Sequence, residues 1–184
     1  MKSVFLVSDT HFSHAGVCRF LRDDNTKLRP WDDPDEMDEY MIQAWNDTVK
    51  PKDKVYHLGD VVVNRRGLQI MPRLNGEKIL IKGNHDNFPL RDYVDHFKDI
   101  LAYHSLHGLL LSHIPVHPES LYRYGCNVHG HLHERRVMKD LPDGRRVIDP
   151  RYYSVCVEHT EYKPILLEEV RKNIREQQDE QLNA

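Results

Sequence analysis

Short apolar runs that each end in a polar, metal-capable group recur along this chain, and they constrain its fold more than any other feature. Val4–Val7 precedes Asp9-Thr10-His11, residues 54–58 precede Gly59-Asp60, and residues 78–82 precede Gly83-Asn84-His85-Asp86. A continuous apolar run bounded by polar residues reads as a strand buried on both faces. Helix-like segments separate the three runs, so the pattern predicts a mostly parallel α/β arrangement with a site along the carboxyl edge of the strands. Further on, residues 108–112 lead to His113, and residues 126–129 lead to Gly130-His131-Leu132-His133.

The groups at these strand ends share one chemistry. Asp9 and His11 are separated by one residue, so in an extended chain they leave the same side and can reach a single ion. The same alternation would align His129, His131 and His133. The carboxylate of Asp60 has two oxygens, enough to bridge two cations about 3.5–4 Å apart. The chain holds 13 histidines, a high count for the commonest metal-ligating side chain. His57, His96, His104, His107 and His159 fall in no such pattern and read as structural or solvent-facing.

Between the strands, residues 33–48 form the clearest helix. Asp33 can cap it, Pro34 suits the first helical position, and Glu36 completes a capping pattern. Met37, Met41, Ala44, Trp45 and Thr48 then recur at helical spacing and make a core-facing stripe. Short helices are expected over 68–74, interrupted at Pro72, and over 90–97. A hairpin over 135–149 and a strand over 154–158 predict a second sheet, and Leu167, Val170 and Ile174 mark a last amphipathic helix. Residues 177–184 read as a polar, frayed tail.

The length of 184 residues fits a single domain spanning 1–184. A formal net charge of -3 provides no overall basic field, which argues against indiscriminate nucleic-acid binding. Cys18, Cys126 and Cys156 are odd in number and widely spaced, as expected of buried thiols in a reducing compartment. Met1-Lys2 leads into only a strand's worth of apolar residues, and no apolar run approaches a membrane span. The expected location is the cytoplasm.

The ordered set Asp9-Thr10-His11, Gly59-Asp60, Gly83-Asn84-His85-Asp86, His113 and Gly130-His131-Leu132-His133 resembles the calcineurin-like metallophosphoesterase superfamily over residues 9–133. The longer start, Asp9-Thr10-His11-Phe12-Ser13-His14, followed by Arg29-Pro30-Trp31, looks like its small bacterial and phage branch. The resemblance implies a four-layer α/β/β/α sandwich with two mixed β-sheets. It implies one ion held by Asp9, His11, Asp60 and His133, and a second held by Asp60, Asn84, His113 and His131. Nitrogen and oxygen donors without thiolate suit Mn²⁺, Fe, Zn²⁺ or Ni²⁺ better than Mg²⁺ or Ca²⁺, and manganese is the family expectation.

The activity implied is hydrolysis of a phosphodiester, such as a nucleotide or cyclic nucleotide, by metal-activated hydroxide, with His85 as the acid for the leaving oxygen. Some relatives pair this histidine with a side chain a few residues after Gly-Asp. Here Val61-Val62-Val63-Asn64 lacks that partner and leaves Asp86 or a backbone carbonyl to orient the ring. His14 and His117 lie close in sequence to the implied ligands and are candidates for touching substrate. A phosphomonoesterase or nuclease of the same superfamily is the alternative within enzymes. A non-catalytic scaffold is the alternative outside them, and all seven filled ligand positions argue against it.

Overall fold

The computed structural model describes residues 2–182. Its first sheet is ordered β11-β1-β2-β3-β4, built from β1 (Val4–Val7), β2 (Lys54–His57), β3 (Glu77–Ile81), β4 (Asp99–Leu101) and β11 (Ile165–Leu166). The register Val4↔Lys54 and Lys54↔Glu77 sets β1, β2 and β3 parallel, β4 continues the parallel run, and β11 is antiparallel to β1. The second sheet is ordered β10-β7-β6-β5, from β5 (Tyr103–Leu106), β6 (Leu109–Ser112), β7 (Cys126–His129) and β10 (Tyr152–Ser154). It too is mixed, with β6, β7 and β10 parallel and β5 antiparallel to β6. β8 (Met138–Asp140) and β9 (Arg146–Ile148) form the expected hairpin as a separate ribbon.

Strand alternation divides the core in two. Phe5, Val7, Val55 and Leu80 face α1 (Pro34–Thr48), where they meet Met37, Met41, Ile42 and Trp45. Leu6, Tyr56, Ile79 and Ile81 face the other way, against Leu109, Leu111, Cys126 and Val128 of the second sheet. Both faces of the first sheet are therefore covered, which is why apolar residues fall on both faces of β1 and β3. The N-terminus of α1 is capped as expected, with Asp33 accepting from Asp35 N at 2.9 Å and Pro34 at the first position. Its buried stripe runs through Met37, Asp38, Met41, Ile42 and Trp45, while Ala44 and Thr48 lie at its margins.

Several segments differ from the sequence expectation. The helix expected over 68–74 is displaced to α2 (Arg65–Leu68), because Asn64 accepts from Gly67 N and starts the turn early; Pro72 sits in a short 3-10 turn, Met71–Arg73. Residues 90–97 make only a 3-10 turn, Leu90–Asp92, followed by loop that buries Tyr93 and Phe97; so short a segment cannot repay helix nucleation. The strand expected over 154–158 ends early as β10. There the chain leaves the second sheet and crosses to β1, with Ser8 N donating to Val155 O and Val157 N donating to Ser8 O.

The last helix, α3 (Leu167–Leu182), packs Leu167, Val170 and Ile174 against the core between the sheets. It continues past residue 177, where fraying was expected, because Gln177 Nε2 donates to Tyr152 O at 3.0 Å and Gln178 Nε2 to Gly125 O at 3.1 Å. Residues 183–184 of that expected tail lie outside the described residues. The outer face of the second sheet is covered by a small cluster, Leu110, Leu121 and Tyr152 with Val116, Tyr124 and Val137, of which Leu121 belongs to the 3-10 turn Pro118–Leu121. No described helix is long and apolar enough to cross a membrane.

Trp45 is 2% exposed, and its ring nitrogen donates to the Asn75 carbonyl at 2.9 Å, joining α1 to the turn before β3. Trp45→Ala is expected to destabilise the fold by about 3–5 kcal/mol, through the cavity and the orphaned carbonyl, measured by urea unfolding.

Candidate metal centre

Strand pairing stops at Val7↔His57, and the chain beyond it bends rather than extends. Asp9 N donates to Gly59 O and His11 N to Asp60 O, while Asp9 and His11 take left-handed backbone at φ 59° and 49°. The extended-chain argument for Asp9 and His11 is therefore corrected: a turned loop, not strand alternation, brings them together. Asp60, His131 and His133 are also left-handed, at φ 56°, 72° and 52°. Such a conformation costs roughly 1–2 kcal/mol at a residue with a side chain, and its clustering is typical of functional sites. Two glycines let these loops touch. A Cβ at Gly83 would run into Asp60 Oδ1, and one at Gly130 into Ser8 Oγ and Asp9 Oδ2.

Two clusters of donors result. Asp9, His11 and His133 form one, Asp60, His113 and His131 the other, each with ligand atoms within 4.8 Å of one another. Asp60 lies between them. Its Oδ2 is 3.7 Å from His11 Nε2 and its Oδ1 is 3.4 Å from His113 Nε2. Asn84 joins the second cluster, with Oδ1 2.8 Å from His113 Nε2. The donors fit cations. Asp9 Oδ1 and both ring nitrogens of His11 are buried without a hydrogen-bond partner, and such orphaned polar atoms are costly unless something binds them. The ligand set is imidazole, carboxylate and amide oxygen, which is the chemistry of a first-row divalent ion.

Burial sets the charge states. It holds His11 well below the ordinary imidazole value, so the ring is neutral with a lone pair to offer, and it lowers His131 in the same direction. It raises Asp9. At Asp60 burial pushes upward, but the hydrogen bond and charge of His113 outweigh it and the carboxyl sits below its usual value. His113 Nδ1 lies 2.7 Å from Leu58 O and donates to it, which turns Nε2 into the site.

Three side chains outside the expected set hold this arrangement. Asp86 is fully buried, and its carboxylate accepts from Gly83 N at 2.8 Å, Asp60 N at 2.9 Å and Val61 N at 3.0 Å. Arg29, also fully buried, donates to the carbonyls of Asp9 at 2.6 Å and Thr10 at 2.8 Å. Its Nε donates to Glu158 Oε1 at 2.9 Å, and the same oxygen accepts from His133 Nδ1 at 3.0 Å. This presents Nε2 of His133 to the first cluster, a recurrent way to orient a ligand histidine. Glu158 carried no recognisable motif; only the crossing of the chain after β10 brings it here.

His85 is exposed, with its ring 5.6 Å from that of His11 and its backbone N donating to Asp60 Oδ1 at 2.8 Å. Among the described residues no hydrogen bond joins the exposed His85 ring to Asp86, which is fully buried and bonded to three backbone N–H groups; that alternative is corrected. His14 sits on the same rim, its ring 5.6 Å from His11 and 5.9 Å from Phe20. His117 caps the Pro118–Leu121 turn, its Nδ1 accepting from Glu119 N at 3.4 Å. His129 is buried with Nδ1 2.8 Å from Gly130 O, and since β7 ends there it is not aligned with His131 and His133. His57 is likewise structural, bonded to Thr10 Oγ1 at 3.0 Å.

The chain is 32% identical over 180 residues to the uncharacterized protein MJ1445 of Methanocaldococcus jannaschii, an alignment covering 95% of this chain and 92% of that one. It belongs to the family of that archaeal protein. The fold matches the crystal structure of the protein of unknown function AQ665 from Aquifex aeolicus, with a TM-score of 0.69, 26% identity, and coverage of 94% of this chain and 99% of that one. Phosphopantetheinyl hydrolase from Mycobacterium tuberculosis aligns over 87% of this chain and 92% of its own at 13% identity and a TM-score of 0.40, too remote a likeness to carry an argument. No protein-family model matches the chain.

The Arg29–Glu158 pair makes a testable contribution to stability. Arg29→Met leaves the Glu158 carboxylate buried without its cation and should cost about 3–5 kcal/mol at neutral pH. Burial acts to raise Glu158, but Arg29 and His133 together hold it down at about 2. That stabilisation is fully present above the ordinary glutamate value of about 4.3 and is lost as pH falls through the folded value. The deficit of Arg29→Met should therefore be widest above that range and narrow on acidification, as measured by urea unfolding across pH.

Proposed function

We propose that this protein is a dinuclear metal-dependent phosphodiesterase of the calcineurin-like metallophosphoesterase superfamily. The observation that carries the reading is the placement of Asp60, whose two oxygens face different donor clusters. Asp9, His11, Asp60 and His133 would hold one ion, and Asp60, Asn84, His113 and His131 the other. Two divalent ions, when bound, supply Lewis acidity to phosphoryl oxygens and lower the pKa of water. Manganese is the expected pair, with iron, zinc and nickel compatible with the same donors.

The chain's own residues do the rest. Asp86 and Arg29 fix the ligand loops so that little reorganisation accompanies the reaction. Exposed His85, beside His11 at the mouth of the centre, supplies a proton to the leaving oxygen. His14 lines the same rim and is in reach of a bound ester. The three cysteines are free and buried, which fits a cytoplasmic enzyme.

Elemental analysis after manganese loading should find two ions per chain, and chelation should abolish hydrolysis of bis-nitrophenyl phosphate reversibly. Asp60→Ala should lose more metal and activity than His11→Ala, because it alone removes a donor from both clusters. Equal, mild losses in the two variants would remove Asp60 from the bridging role.

His85 is tested by the leaving group. His85→Ala should lose about 10²–10⁴ in rate on diesters with a basic alkoxide leaving group, and much less on nitrophenyl esters, whose phenolate departs unaided. Metal content should be unchanged. A parallel loss on both substrates would take the proton-donor role away from His85.

A further inference from the structure

A cavity of about 670 Å³ opens on the outer face of the second sheet, directly beside the metal centre. Strand alternation explains its character. In β6, Leu109 and Leu111 point into the core between the sheets, which leaves Leu110 and Ser112 on the outer face. Tyr103 pairs with Ser112 across β5 and β6, so its ring stands on that same face. Tyr103, Leu110, Ile114, Val116 and Tyr124 make most of the wall. Asn84 and His113 form its side toward the second donor cluster, so the cavity and the centre share residues.

We propose that this cavity takes an uncharged aromatic group of the ester substrate, of about nucleobase size, while the phosphate lies at the metal centre. The proposal rests on the phosphodiesterase reading and adds the substrate class to it. The volume falls within the range of about 300–1,000 Å³ typical of small-molecule sites. Among the described residues, Lys82 is the one formally charged side chain of the lining besides the titratable His113. Further phosphates of a polynucleotide strand would meet mostly apolar walls there and lose their hydration with a single lysine to offset it. A flat ring instead finds two tyrosines, Tyr103 exposed at the rim and Tyr124 half-buried, and a floor at Leu110, which is 5% exposed.

The test compares two diesters with the same nitrophenolate leaving group: the nitrophenyl ester of thymidine 5'-phosphate and methyl nitrophenyl phosphate. With manganese-loaded protein, kcat/KM should favour the thymidine ester by about tenfold or more, a ratio set by KM. Ser120→Trp places bulk in the cavity from an exposed position on the Pro118–Leu121 turn, and Tyr103→Ala removes one wall. Both should pull the ratio toward unity. In parallel, saturation-transfer NMR of the full chain should show adenosine receiving saturation from the wild type and losing it in Ser120→Trp, with ribose receiving none.

Equal kcat/KM for the two esters overturns the proposal. So does a ratio unaffected by both substitutions, or a change in oligomeric state on Ser120→Trp with the ratio intact. Absence of hydrolysis of either ester, with adenosine binding that Ser120→Trp abolishes, overturns the phosphodiesterase reading and the substrate role with it; the aromatic site alone then stands.

Discussion

Three backbone N–H groups converge on the buried carboxylate of Asp86, and the centre depends on that convergence. Gly83 N comes from the end of β3, Asp60 N and Val61 N from the end of β2. One side chain thereby ties two adjacent strand ends together at a fixed distance. Hydrogen bonds to a charged acceptor contribute about 1.5–3 kcal/mol each, enough to hold Asp60 in a left-handed conformation that its own side chain disfavours. The consequence is directional: with its backbone pinned, Asp60 turns one oxygen toward His11 and the other toward His113.

Arg29 does the equivalent work on the opposite side. Its guanidinium grips the carbonyls of Asp9 and Thr10 and the carboxylate of Glu158, which in turn bonds His133. A cation buried this completely is tolerated because its polar contacts replace lost water. Arg29 therefore links the loop after β1 to the loop carrying His133, groups more than a hundred residues apart in sequence. Each donor cluster thus rests on loops from both sheets, and relative movement of the sheets would open both.

The two outer faces of the fold are finished differently, and this shapes what surrounds the centre. Beyond the first sheet lies α1, an amphipathic helix with Trp45 at the heart of its stripe. Beyond the second sheet the cover is short and incomplete, Leu121 and its neighbours on a 3-10 turn. An apolar surface left partly uncovered next to a polar centre is the arrangement that small-molecule sites favour, with apolar walls for binding and few polar groups for orientation.

Much of this was legible before any coordinates. β1, β2, β3, β6 and β7 show themselves because each brings apolar residues to the core between the sheets, and the stripe of α1 shows itself by period. The candidate donors could be named for the same local reason, since each lies in the loop that follows a strand. Sequence could not show β4, β5 and β11, edge strands whose partly exposed residues make no buried apolar run, nor the early end of β10. It could not show the left-handed turns at Asp9, His11, Asp60, His131 and His133, because those conformations are imposed by contacts between loops rather than preferred locally. Residue types and order along the chain were determined by the sequence itself; the pairing of Asp60 with two clusters, the roles of Asp86 and Glu158, and the cavity beside Asn84 were decided by tertiary structure. The physical reason is range: periodicity reports what a residue does with its near neighbours, whereas a shared carboxylate or a buried ion pair exists only once distant strand ends have been brought together.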